Sequence, residues 1–221
     1  MIEFGSHKVK AFLTMESPLP RPENPVVISV STPLILASTS RYRAELLSRL
    51  RLPFDTEAPG VDEVEEPGEL PESRARRLAQ AKARAVAERR PGHWVLGSDQ
   101  VAFCDDEILH KPGLPEANVE QLARLSGREA HFATAITLTT AGGLELSSLD
   151  MTVVRFRTFD LATAQRYVAA EPAHDCAGGF KIEGLGISLF ESVETRDPTA
   201  LIGLPLIALR RLLEQVGLPV P

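Results

Sequence analysis

Residues 34–43 read Leu-Ile-Leu-Ala-Ser-Thr-Ser-Arg-Tyr-Arg. The four apolar residues at the start predict a strand that is buried on both faces. The hydroxyl residues that follow predict a strand-to-helix turn, and a helix is expected to begin at Arg41. A helix N-terminus offers free backbone N–H groups and a partial positive charge, which suit a phosphate. An ordinary helix cap with solvated arginines explains this stretch equally well.

The bulk composition is that of an ordinary globular protein, with 43% hydrophobic and 24% charged residues among 221. The net charge of −6 argues against sequence-independent binding to nucleic acid, which needs a basic surface. No apolar run approaches the roughly 20 residues that a membrane-spanning helix requires. Cys104 and Cys176 lie far apart and lack metal-ligand spacing. We therefore expect free thiols in a reducing cytoplasm, with no membrane partner.

The chain divides into an extension and one domain. Prolines interrupt any periodic pattern near the N-terminus, so we predict a poorly ordered extension over residues 1–32 and a single domain over residues 33–217. Strand-like runs alternate with helical patterns in the first half, and two longer strands pair in the middle. This order predicts an α/β fold with a mixed, curved central sheet, whose flanking helices form two lobes around a cleft. A last strand is predicted over Ile187–Val193.

Two charged residues stand where apolar residues are expected. Lys82 falls on the apolar stripe of a long helix predicted from about Pro71 to Arg89. A lysine there needs an anionic partner, unless its stem passes its neighbours to reach solvent. Asp99 interrupts the apolar run Trp94–Phe103, where a buried carboxylate is costly without a cation or a donor. The alternative for Asp99 is that it caps a turn at the end of the strand.

Cations and carboxylates recur together at the ends of apolar elements. The cations are Arg43, Lys82 and Lys111, and the carboxylates are Glu63 and Asp99. Cations alone would bind phosphate, whereas both kinds together indicate phosphate bound with Mg²⁺ or Mn²⁺, because Mg²⁺ is usually held by one or two carboxylates and the substrate phosphates. The metal and the lysines would neutralise the leaving phosphates, and Asp99 would orient or deprotonate water.

Seven short motifs occur in an order that resembles the Maf family of nucleoside triphosphate pyrophosphatases. They are Ala37–Ser40 with Arg43, Val61–Glu63, Leu78–Ala83, Gly97–Gln100, Lys111–Pro112, Ala177–Phe180 and Gly203–Leu206. Each motif is weak alone, but seven in register over about Pro33 to Gly217 are specific. The resemblance implies a fold related to that of the inosine triphosphatases, and a cytoplasmic, often dimeric enzyme that uses a divalent cation.

The resemblance also implies a reaction and a role for each matched residue. The implied reaction is hydrolysis between the α- and β-phosphates, which gives a nucleoside monophosphate and pyrophosphate. The implied catalytic residues are Asp99 as proton acceptor and Lys82 and Lys111 as basic contacts to the substrate. The implied substrate-binding residues are Ser38, Ser40 and Arg43, and the implied metal ligands are Glu63 and Asp99.

Three residues resemble those found in the branch of the family that acts on 7-methyl-GTP. An enzyme of this branch would remove modified nucleotides from the pool. Gln100 and Glu183 stand where the dTTP/UTP branch usually has Thr and Gln, and Tyr42 is an aromatic residue in the first helix turn. An aromatic ring stacks well on the cationic methylated base, and a carboxylate accepts from the N1–H and amine of guanine. The usual Ser-Pro-aromatic-Arg-Arg motif reads Ser40-Arg41-Tyr42-Arg43-Ala44, so Arg41 is a candidate for the missing second charge.

Two rival functions remain open at this point. One is a Maf-type pyrophosphatase for dTTP, UTP or other nucleotides. The other is a nucleotide sensor that inhibits cell division. The intact set of lysines and carboxylates favours an enzyme, because a pure sensor does not need a base that activates water.

Overall fold

The computed structural model describes residues 27–220. The predicted extension therefore lies outside the described residues as far as position 26, and its order stays a prediction. Ile28, within the described part, is partly buried against the apolar core. In residues 27–220 no helix is both long enough and apolar enough to cross a bilayer.

Seven strands and five α-helices make up the described part of the chain. In chain order they are β1 (Leu34–Ala37), α1 (Arg41–Ser48), β2 (Phe54–Thr56), α2 (Pro71–Arg89), β3 (Val95–Cys104), β4 (Glu107–Ile108), α3 (Pro115–Leu125), β5 (Glu129–Thr139), β6 (Glu145–Phe156), α4 (Leu161–Ala170), β7 (Phe190–Glu194) and α5 (Leu206–Gln215). Short 3-10 helices span Ala177–Gly179 and Leu185–Leu189. Both α2 and α3 begin with proline, whose fixed φ suits the first helical position.

The strands form one mixed sheet in the order β2-β1-β3-β5-β6-β7, with the short β4 beside β3. β1 runs parallel to β2 and β3, and the remaining pairings are antiparallel. The predicted mixed α/β sheet is confirmed. Ala37, the last residue of β1, pairs with Gly97 of β3. This register brings the serine-rich turn after β1 next to Asp99, which is distant in sequence.

Two large apolar clusters lie on different parts of the sheet. One includes Leu36 and Leu47 and is covered by α1 and α5. The other includes Phe132 and Phe156 and is covered by α3 and α4. Because the cleft described below takes its walls from residues of both groups, the predicted two-lobed arrangement around a cleft agrees with the packing.

The predicted last strand, Ile187–Val193, begins later than expected. Its first residues belong to the 3-10 helix, and β7 starts at Phe190. The reason is the length of the neighbouring strand, because β6 ends at Phe156, which pairs with Phe190. Residues upstream of Phe190 have no strand beside them, so their β-forming side chains do not enter the sheet.

Helix α2 packs closely on β3 at Gly97. A Cβ at this glycine would lie 2.2 Å from the carbonyl oxygen of Ala79 and 2.9 Å from the Cβ of Ala83. Side chains alternate along a strand, so Gly97 and Asp99 face the same side, toward α2. The missing side chain at Gly97 thus permits the approach that brings Lys82 of α2 to Asp99.

We predict that Gly97→Ala destabilises the fold by about 1–3 kcal/mol or more, because the new methyl group meets helix backbone that cannot move aside alone. Urea unfolding measures the loss. Arg76→Ala, on the exposed face of the same helix, is the control and should change stability little. A Gly97→Ala protein as stable as the control would show that α2 shifts freely on β3.

Candidate active site

The predicted site residues all line one cleft with a volume of about 490 Å³. They are Ser38, Ser40, Tyr42, Arg43, Glu63, Lys82, Asp99, Gln100, Lys111 and Glu183. A second cavity of about 340 Å³ adjoins the first and shares Glu63, Asp99 and Lys111 with it. The size of the cleft is that of a typical small-molecule site.

The centre of the cleft is a buried ion pair. The Lys82 Nζ lies 2.6 Å from Asp99 Oδ1 and 2.6 Å from Glu63 Oε1. The side chains of Lys82 and Asp99 are only 6% and 7% exposed, whereas that of Glu63 is 56% exposed. The apolar stripe of α2 therefore carries its lysine inward onto two carboxylates, rather than past its neighbours to solvent.

The two carboxylates differ in their affinity for protons. Burial raises the pKa of Asp99, although Lys82 and Arg43 act against it. Burial also acts to raise the pKa of Glu63, but the hydrogen bond and charge of Lys82 outweigh it and hold that pKa below its usual range. A raised pKa makes the Asp99 carboxylate a stronger base than an ordinary aspartate, which suits proton transfer near neutral pH.

The turn after β1 is both a helix cap and a candidate phosphate site. Ser40 Oγ accepts from the backbone N–H of Arg43, and Ser38 Oγ accepts from that of Ser40. Arg43 Nε donates to the Gly203 carbonyl at 3.0 Å, and its Nη1 lies 3.5 Å from Ser38 Oγ. The carbonyl of Gly203 also accepts from Ser98 Oγ at 2.9 Å. These bonds hold the guanidinium beside the serines at the N-terminus of α1.

Two arginines that the sequence analysis missed hold the loop that carries Glu63. Arg74 Nη2 donates to the Glu63 carbonyl at 3.3 Å, and Arg77 Nη2 donates to that of Val64 at 3.0 Å. Arg77 also forms a two-point ion pair with Glu69. Both arginines belong to α2, so the helix that supplies Lys82 also fixes the carboxylate that meets it. Their spacing of three residues, which places both on one face of α2, was the sequence feature that could have identified them.

The other end of the cleft gathers aromatic and charged groups around Tyr42. Its ring lies 4.8 Å from the Arg41 guanidinium and 5.8 Å from the Lys181 ammonium. Its hydroxyl accepts from Arg41 Nη2 at 2.8 Å and lies 3.4 Å from Asp175 Oδ2. Glu183 is exposed in the same wall. A cationic base stacked on Tyr42 would take the place of one of these cations.

Gln100 lines the cleft, but its amide nitrogen is already used. Nε2 donates to Thr134 Oγ1 at 3.0 Å and to the carbonyls of Ala200 and Leu201 at 3.0 and 3.1 Å. Gln100 therefore ties the loop before Gly203 to the sheet. Any contact of Gln100 with a base would have to use its amide oxygen.

The donor set fits a divalent cation only in part. Among residues 27–220 no three His, Cys, Asp or Glu side chains are grouped so that they could hold a metal by themselves. Glu63 and Asp99 do converge on one point, where Lys82 Nζ now lies. Two carboxylates with the rest of the ligands from phosphate oxygens is the arrangement that Mg²⁺ usually adopts.

We predict that Lys82→Met lowers stability by about 3–5 kcal/mol at pH 7.5, because it removes the ammonium bonded to the buried Asp99 carboxylate and leaves only the more distant charge of Arg43. Lys82 lowers the pKa of Asp99, so the variant's aspartate has a still higher pKa. The loss should shrink as the pH falls through that pKa and Asp99 takes up a proton. Urea unfolding at pH 7.5 and 5 measures this difference.

The matched control for Lys82→Met is Arg84→Met on the same helix. Arg84 pairs with Glu145 at the surface, and exposed pairs contribute little to stability. We expect a change below about 1 kcal/mol at either pH. Equal losses in the two variants would contradict a special role for the buried pair.

The sequence is similar to those of known proteins. The sequence profile of the family described as Maf-like protein matches residues 33–216. A protein of Xanthomonas campestris pv. campestris named 7-methyl-GTP pyrophosphatase is 55% identical over 85% of this chain and 98% of its own length. A Bordetella pertussis protein of the same name is 53% identical over 84% of this chain and 92% of its own length.

Solved structures resemble the fold only in part. A dITP/XTP pyrophosphatase from Mycobacterium abscessus has a TM-score of 0.39 at 24% identity, over 56% of this chain and 72% of that one. The Ham1 protein of Staphylococcus aureus has a TM-score of 0.38 at 18% identity, over 56% and 71%. Likenesses this limited carry no argument. The sequence matches, which cover the whole cleft, show that the chain belongs to the Maf family.

Proposed function

We propose that this protein hydrolyses 7-methyl-GTP to 7-methyl-GMP and pyrophosphate, and so removes a modified nucleotide from the pool. The observation that carries the proposal is the buried Asp99, with its raised pKa, joined to Lys82 beside the serine-rich helix start. The relatives named 7-methyl-GTP pyrophosphatase, at 55% and 53% identity, support the substrate.

The chain's own residues divide the reaction between them. Asp99 accepts a proton from water as the water attacks phosphorus, and the anhydride bond between the α- and β-phosphates breaks. Lys82 and Lys111 neutralise charge on the departing pyrophosphate. Ser38, Ser40 and the Arg43 guanidinium hold the phosphates at the N-terminus of α1.

We also propose that Glu63 and Asp99 bind Mg²⁺ or Mn²⁺ together with the substrate phosphates. When bound, the metal supplies Lewis-acid neutralisation of phosphate charge. The site of action that we propose is the cytoplasm, in keeping with the free thiols of Cys104 and Cys176. A homodimer, as the family resemblance implies, remains a prediction.

We predict that Asp99→Asn lowers the rate roughly 10²-fold or more, because the amide keeps the size of the side chain and cannot accept the proton. The measurement is pyrophosphate release from a panel of nucleoside triphosphates with Mg²⁺ or Mn²⁺. Asp55→Asn, at an exposed position on β2, is the matched control and should keep wild-type turnover. An Asp99→Asn enzyme with near-wild-type turnover would remove Asp99 from the role of base.

The same panel separates the rival functions. Pyrophosphate release fastest from dTTP or UTP would favour the pyrimidine branch of the family. If the protein binds nucleotides but releases pyrophosphate from none of them with either metal, the result would favour a nucleotide sensor.

We predict that wild type prefers 7-methyl-GTP to UTP and that Glu183→Gln narrows this preference while sparing turnover. Glutamine loses the negative charge that strengthens the bonds to the guanine N1–H and amine. The ratio of kcat/KM for 7-methyl-GTP and UTP is the measurement. Glu191→Gln, an exposed position on β7, is the control. An unchanged ratio in Glu183→Gln would show that Glu183 does not contact the base.

A further inference from the structure

The segment 181–186, called here the base-side segment, carries Glu183, and its first three residues line the cleft. The Glu183 side chain makes no hydrogen bond or ion pair with any other residue in the described range 27–220. Its position is therefore set by the backbone of the segment. That backbone is held by side chains that do not line the cleft.

Two of these side chains come from α4 and the residue after it. The Tyr167 hydroxyl accepts from the backbone N–H of Lys181 at 3.1 Å and donates to Glu171 Oε2 at 3.1 Å. The same Glu171 oxygen accepts from the backbone N–H of Gly186 at 3.1 Å. One short relay thus fixes both ends of the base-side segment.

The backbone lies directly on the Glu171 carboxylate. A Cβ at Gly184 would lie 1.9 Å from Glu171 Oε1, and a Cβ at Gly186 would lie 2.4 Å from the carbonyl oxygen of Lys181. Neither glycine has a positive φ, so the close approach, rather than the backbone conformation, excludes a side chain. Only glycine at position 184 therefore lets the segment pack this closely on the Glu171 carboxylate.

The flanking residues reinforce the relay. Phe180 packs edge-to-face against Phe190 and Phe132, with ring centroids 4.8 and 5.5 Å apart. The Lys181 ammonium donates to the Pro172 carbonyl at 2.5 Å. Burial raises the pKa of Tyr167, so its hydroxyl keeps the proton that it donates to Glu171.

We infer that Tyr167 and Glu171 are positioning residues for base selection, which act by fixing the base-side segment so that Glu183 meets the base. This inference rests on the proposed function for the identity of the base. Preorganised side chains bind with a smaller loss of conformational entropy. Loss of the Tyr167 and Glu171 hydrogen bonds should therefore weaken binding of the preferred substrate most.

The test uses three variants of the full chain. Tyr167→Phe keeps the ring and removes the hydroxyl, and Glu171→Ala removes the acceptor. Glu171→Gln keeps a carbonyl oxygen that accepts from Gly186 N–H, so it should restore the wild-type behaviour. Glu191→Ala, at an exposed position on β7, is the control for removal of a glutamate.

In Tyr167→Phe and Glu171→Ala we expect the ratio of kcat/KM for 7-methyl-GTP over UTP to fall roughly fivefold to tenfold, the size of one lost hydrogen bond. The fall should appear in KM for 7-methyl-GTP, with kcat within about twofold of wild type, because Asp99 and Lys82 are untouched. Hydrogen exchange of the amides at positions 181 and 186 should become faster. Glu171→Gln and the control should match wild type.

Equal losses of kcat/KM on both nucleotides, or amide exchange unchanged from wild type, would overturn the inference. Failure of Glu171→Gln to restore the ratio would overturn it as well. If Tyr167→Phe does not fold, Glu171→Ala provides the same test from the end of the helix.

Failure of the proposed function gives a different result. The wild type would then prefer another nucleotide. The positioning role of Tyr167 and Glu171 would still be tested by amide exchange and by the ratio of kcat/KM for that nucleotide to kcat/KM for the others. If the wild type prefers 7-methyl-GTP but amide exchange in Tyr167→Phe and Glu171→Ala is unchanged, the positioning role of Tyr167 and Glu171 is rejected and the proposed function stands.

Discussion

The cleft depends on the buried ion pair between Lys82 and Asp99. Taking two charges out of water costs several kcal/mol for each ion, and their attraction offsets this only with close geometry. The contact of 2.6 Å meets that condition because Gly97 lets α2 lie directly on β3. Well-packed apolar residues would often stabilise such a position as well or better. The chemistry of the site is therefore the natural explanation for the pair.

Helix α2 joins the parts of the site that we propose to bind phosphate. It presents Lys82 to the sheet, and its partly buried arginines Arg74 and Arg77 hold the loop of Glu63 in front of that lysine. The parallel pairing of β1 with β3 brings the serine-rich turn alongside. Lys82 is mounted on the helix and the serine-rich turn on a strand end, and the loop of Glu63 is bonded to the same helix, so regular elements set the geometry of these groups.

The base end is built differently. Glu183 lies on a glycine-rich segment outside the regular elements, and side chains of α4 hold that segment in place. Under the proposed function, substitutions there would change which base is accepted without disturbing Lys82 and Asp99. Arg41 and Lys181 lie against the Tyr42 ring in the same cleft.

Local sequence patterns by themselves determined the bounds of α2 and the central hairpin, and they marked Lys82 and Asp99 as charges within apolar elements. Hydrophobic periodicity is a local property, and a charge that breaks it is visible without a structure. Only the tertiary structure decided that the Gln100 amide holds a neighbouring loop, that β7 begins at Phe190, and that Tyr167 fixes the base-side segment. Each of these depends on partners far away along the chain. A hydrogen bond between residues far apart along the chain produces no periodic pattern in the sequence.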